Sequence, residues 1–196
     1  MIEIHPLVIF FASIFTNNMI LSNFLGMCSF IAVSSEIKTS LSLGQAVTFV
    51  LATTSVLNYI VYYTILVPLG LEYLRFIVFI IVIAAFVQLV EMIIERYFES
   101  LYYSLGIFLP LITVNCAILG VSLFMIIREY NLIQSFAFGV GSGLGWTLAI
   151  VAMAGIRKKI MGAKIPKGLE GAGITLIITG IMALAFLGFS GIVQIQ

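Results

Sequence analysis

Long apolar runs separated by short polar gaps leave this chain few folds to choose from. A helix that crosses a bilayer needs about 20 consecutive apolar residues. Six stretches qualify: 7–33, 43–67, 76–94, 102–127, 132–156 and 171–193. The gaps between them are 34–42, 68–75, 95–101, 128–131 and 157–170, and the longest holds 14 residues, too few for a water-soluble domain. Hydrophobic residues are 62% and charged residues 9% of the 196, far below the roughly 25% charged content of soluble domains. The expected fold is therefore all-α and integral to the membrane, one transmembrane domain over 1–196. A formal net charge of +1 supplies no basic surface for nucleic acid, and any chemistry that needs an aqueous domain must come from other chains. The opening MIEIHPLVIFF has neither the basic n-region nor the small-residue cleavage site of a secretory signal, so the first span is expected to be retained.

Orientation follows from the cations. The first, third and fifth gaps hold Lys38, Arg96, Arg157, Lys158, Lys159, Lys164 and Lys167; the second and fourth hold Arg75 and Arg128. Positive residues collect on the cytoplasmic side, which places both termini outside. Tyr62, Tyr63, Tyr102 and Tyr103 stand near span ends, where amphipathic rings favour the headgroup region. Six spans divide into two groups of three, about 1–97 and 98–196. An odd number per group makes the second enter from the opposite side, the arithmetic of an inverted repeat with its functional site near the midplane between halves. Similarity between the halves is slight, so the repeat is a topological expectation.

Each group opens with an interrupted span, and each interruption holds one of the chain's two cysteines. Cys28 stands in MILSNFLGMCSF and Cys116 in LGIFLPLITVNCAILG. Asn17, Asn18, Asn23 and Gly26 precede the first thiol; Pro110 and Asn115 precede the second, with Gly120 after it. Proline removes a helical hydrogen bond and glycine loosens the backbone, so the first and fourth spans are expected to break near their thiols. Bilayer interiors tolerate irregular backbone only where protein or ligand satisfies it. Two thiolates at such breaks make half of the four-Cys set of a two-iron cluster, the remainder coming from a partner. Buried free Cys is ordinarily a small hydrophobe, and each Asn has the alternative of an interhelical hydrogen bond. A straight-helix reading also puts the thiols roughly 12 Å apart in depth, so the cluster reading requires shifted span boundaries or breaks that re-route the chain.

Other features read more simply. GVGSGLG places Gly139 with Gly143, and Gly141 with Gly145, four apart on a helix; close helix packing explains them better than phosphate binding, which wants a preceding strand. Gln88, Glu91 and Glu95 share a helical face that faces interfacial water or a neighbouring subunit, with cation guidance as the alternative. The basic cluster 157–167 sets topology and meets anionic lipid, or an acidic soluble partner. His5 has no assigned role.

The stretches NNMILSNFLGMCSFIAVS, VIAAFVQLVEM, SLYYSLGIFLPLITVNCAILG, GLGWTLAIVAMAGIR and GITLIITGIMALAFLGFSG resemble the RnfA/NqrE family, the membrane subunits shared by the Rnf complex and the sodium-pumping NADH:quinone oxidoreductase. The resemblance implies six spans in two inverted three-helix repeats with broken first and fourth helices. It implies a homologous membrane sister, RnfE-like or NqrD-like, packed around a pseudo-two-fold axis. Further flavin-carrying and iron–sulfur subunits would join the pair in a bacterial or archaeal cytoplasmic membrane. It also implies an intramembrane [2Fe–2S] cluster with two Cys from each sister, here Cys28 and Cys116. This chain would pass electrons across the bilayer without catalysing bond chemistry. The short connection VPLGLEYLRF resembles the Rnf member, implying ferredoxin:NAD oxidoreduction coupled to Na+ or H+ transport; GSGLGW leans toward the quinone reductase. From a different class, a secondary transporter with inverted repeats would bind a small solute at Asn17, Asn18, Asn23 and Asn115.

Overall fold

Polar residues inside apolar runs decide where the helices of this chain stop. A computed structural model describes residues 5–97, 109–162, 166 and 168–189, and their regular structure is helical throughout. Helix α1, Pro6–Ile14, starts with Pro at its first turn and His5 as N-cap. It ends where Asn18 gathers backbone groups: Asn18 Nδ2 donates to the Ile14 and Gly145 carbonyls at 3.1 and 2.8 Å, and Oδ1 accepts from the Ile20 and Leu21 N–H groups at 3.0 and 3.3 Å. A short amide can so replace the helical ladder, and in a dry interior the freed groups need that replacement. The chain turns through Phe24 (φ 55°) and Gly26 (φ 86°) into α2, Met27–Val33. The expected first span 7–33 is thus two short helices joined by irregular backbone.

Helix α3, Ile37–Val61, continues through a π-helical turn at Tyr62–Leu66 and Val67–Leu69 to a left-handed Gly70. Helix α4 is Arg75–Tyr97. After residues 98–108 come α5, Leu109–Thr113, a break at Val114 and Asn115, and α6, Cys116–Ile127. Asn131 caps α7, Leu132–Ile160, with Gln134 closing a capping box, and α8 is Ala172–Leu187. Helices α3 and α7 reach into the expected gaps 34–42 and 157–170. Hydropathy marks the hydrocarbon core, whereas Lys38, Ser42, Lys158 and Lys159 remain helical in the polar interface. Tyr102, Tyr103, Lys164 and Lys167 lie outside the described residues.

Four helices among the described residues are long and apolar enough to cross a membrane: Ile37–Leu69, Glu72–Arg96, Pro110–Ile127 and Leu132–Ile160; Ala172–Leu187 is shorter. The core is the seam between α3 and α7, with α1 against the other side of α7 and α6 against α3. Alternate glycines of α7 serve the two neighbours. A Cβ on Gly143 would stand 2.6 Å from Thr48 Cα, and one on Gly139 2.9 Å from the Leu51 carbonyl oxygen, both on α3. One on Gly141 would stand 2.6 Å from the Phe10 carbonyl oxygen, and one on Gly145 3.0 Å from Ile14 Cα, both on α1. The glycine run is a two-sided packing face, as its spacing indicates. Helix α4 packs against α3, α5 and α6, and α8 against α7 and α2.

Candidate functional site

Both breaks converge on one place. Cys116 is the first residue of α6, and its Sγ accepts the Gly26 N–H at 2.9 Å, two residues before Cys28 on α2. Straight helices would leave the thiols at different depths; irregular backbone between Ile14 and Met27 re-routes the chain and brings Gly26, two residues before Cys28, against Cys116. Asn115 locks the arrangement. Its Oδ1 accepts from the Ala117 N–H at 3.0 Å, capping α6, while Nδ2 donates to Ser29 Oγ at 3.2 Å; Ser29 in turn donates to the Gly26 carbonyl at 3.0 Å. Asn115 and Ser29 are buried, so these bonds are made away from water, where unpaired polar groups are costly. Cys28 and Cys116 are both exposed on the surface of this chain and both free.

The donor set suits a soft metal centre completed elsewhere. A thiolate at the start of a twelve-residue helix meets the positive end of the macrodipole, and Cys116 also holds the Gly26 donor. Among the described residues, no three His, Cys, Asp or Glu side chains gather as a metal site. A four-Cys cluster at Cys28 and Cys116 would need two ligands from another chain, and the exposure of both thiols leaves them reachable.

Of the four asparagines considered for solute binding, three are engaged internally. Asn18 and Asn115 are spent as described, and Asn17, with its side-chain amide turned so that the oxygen meets the guanidinium, accepts from Arg128 Nη1 and Nη2 at 3.0 and 2.9 Å; Asn23 Nδ2 has no acceptor among the described residues. Arg128 also donates to Tyr130 Oη at 3.3 Å and lies 5.7 Å from the Phe124 and Phe138 ring centroids. Arg157, read as a topology residue, donates to the Ile31 carbonyl at 3.0 Å and Ser34 Oγ at 2.8 Å, tying α7 to the end of α2. Lys158 and Lys159 are exposed, as are Gln88 and Glu95 on α4, with Glu91 half-buried between them.

Ser29 and Trp146 escaped sequence reasoning. Ser29 resembles any small span residue. Trp146 carried a signal: tryptophan favours membrane interfaces, and this one stands near the middle of the expected span 132–156.

Fold and site together define a polytopic helical membrane protein whose two broken helices meet where Gly26 reaches Cys116. The chain belongs to the Rnf-Nqr membrane protein family, whose model matches residues 7–193. It is 54% identical to the E subunit of the Na(+)-translocating NADH-quinone reductase of Psychromonas ingrahamii over 198 aligned residues, covering 96% of this chain and 98% of that protein. It is 55% identical to the A subunit of the Na(+)-translocating ferredoxin:NAD(+) oxidoreductase complex of Acetobacterium woodii over 183 residues, 93% of this chain and 95% of that protein. Identity does not separate the two complexes.

Proposed function

We propose that this chain is a membrane component of a redox-driven ion-translocating complex, and that Cys28 and Cys116 are half of the ligand set of a [2Fe–2S] cluster shared with a homologous sister chain. The Rnf-type complex, coupling ferredoxin:NAD oxidoreduction to Na+ or H+ transport, is the reading favoured by the short connection 68–75. The sodium-pumping quinone reductase is the alternative, supported by the equal similarity to its E subunit. The observation that carries the cluster reading is the Gly26 N–H donated to Cys116 Sγ at 2.9 Å, which joins two spans broken about 90 residues apart, with both thiols exposed.

When bound, a [2Fe–2S] cluster supplies a one-electron relay within the bilayer. Cys28 and Cys116 would hold it as thiolates. The Gly26 N–H and the start of α6 offset negative charge on Cys116 sulfur. Asn115 and Ser29 keep both breaks in register, and fully buried Phe30, Ala117, Ile118 and Trp146 exclude water behind them.

The packing also supports an inverted repeat of three spans each. Exchanging the halves in chain order swaps α1 with α5, α2 with α6, α3 with α7 and α4 with α8; the pairs α3–α4 and α7–α8, and α4–α6 and α8–α2, then map onto one another. Outside termini and a sister docked over the thiols complete this reading.

Electron paramagnetic resonance of the purified complex decides the ligand assignment. Cys28→Ser and Cys116→Ser should each remove one [2Fe–2S] signal and lower iron content while the complex still assembles. Retention of every signal and all iron in both variants would refute the assignment.

A further inference from the structure

The one tryptophan of the chain stands directly behind the cysteine site, and its polar edge has nothing to do. Trp146 is fully buried, and its Nε1–H lacks an acceptor among the described residues. That edge faces Gly26: a Cβ there would stand 2.7 Å from Trp146 Nε1, 3.1 Å from Asn115 Oδ1 and 3.2 Å from Ala117 Cβ. Gly26 is also the residue whose N–H reaches Cys116 Sγ. The preceding residue, Gly145, is anchored by the bond from Asn18 Nδ2 to its carbonyl. Helix α7 thus touches the irregular segment twice, through Asn18 near its start and Gly26 at its end.

An unpaired donor in a dry interior is unfavourable, and an aromatic hydrocarbon would fill space without that cost. Where negative charge collects on nearby sulfur, a fixed N–H dipole has a use, because polar groups act strongly at low local dielectric. We propose that Trp146 is a positioning residue for the cysteine site: its indole edge braces the Gly26 turn, keeps the Gly26 N–H on Cys116 Sγ, and biases the centre toward its reduced, more negative state. This rests on the assignment of Cys116 as a cluster ligand.

The deciding experiment is a redox titration of the purified complex, followed by electron paramagnetic resonance, on Trp146→Phe with Cys116→Ser alongside. Phe keeps a ring but lacks the Nε1 edge. Donors to cluster sulfurs stabilise the reduced form, so the midpoint of the signal lost in Cys116→Ser should move negative in Trp146→Phe. Its g-values should shift too, with iron and sulfide content unchanged. An identical midpoint and line shape in an assembled Trp146→Phe complex overturns the proposal. Should that variant fail to co-purify with the other subunits, Trp146→Met is judged by the same readings. If Cys116→Ser keeps every signal, the ligand assignment itself falls and this inference falls with it.

Discussion

At the scale of single residues, Gly26 concentrates the most constraint. Its φ of 86° lies in the left-handed region, which costs a residue with a Cβ about 1–2 kcal/mol, and a methyl there would also meet Trp146 and Asn115. Gly70 shares the backbone conformation (φ 66°) but has open space around it. Gly26→Ala should therefore destabilise the purified complex more than Gly70→Ala does, and should lower its iron content. Thermal unfolding of both variants checks this, and equal losses would show that the contact behind Gly26 does not matter. Glycine before Cys28 was visible in the sequence. Its two obligations, positive φ and contact with a side chain 120 residues away, were not, because nothing local in LGMCSF encodes the approach of α7.

At the scale of elements, the α3–α7 seam depends on backbones that nearly touch. A Cβ on Gly143 would press on Thr48 Cα at 2.6 Å, a backbone atom that moves only if the helix moves. Gly155, on the same helix, has nothing within 4 Å. Overpacking costs about 1–3 kcal/mol, whereas relieving an exposed helical glycine gains up to about 1 kcal/mol. Gly143→Ala should thus lower the unfolding temperature in detergent, and Gly155→Ala should leave it unchanged or raise it. A common response would mean that helix propensity, not helix contact, governs both sites. The four-residue glycine spacing announced close packing; which neighbour each pair meets follows only from α7 lying between α1 and α3.

For the whole molecule, the matter to test is which water phase each end of the bundle faces. With Lys159→Cys and Glu129→Cys introduced singly, a membrane-impermeant maleimide should label position 159 only from the cytoplasmic face and position 129 only from outside, measured against the unsubstituted complex. The reverse pattern would overturn the orientation drawn from the distribution of Lys and Arg. The amino-acid sequence by itself determined that this chain is a helical membrane protein, that its first and fourth apolar stretches break, and that Asn, Gly and Pro mark the breaks. Hydropathy and backbone chemistry act within a few residues, so they are legible without a fold. Helix ends were less so: α3 and α7 run beyond the apolar residues because a helix persists in the interface, where polar side chains remain solvated. Only the tertiary structure decided that the two breaks meet. Asn18 and Asn115 satisfy nearby backbone N–H groups freed in a dry interior and also reach across helices, to the Gly145 carbonyl and to Ser29 Oγ; the second kind of pairing depends on where those helices lie, which no local pattern states.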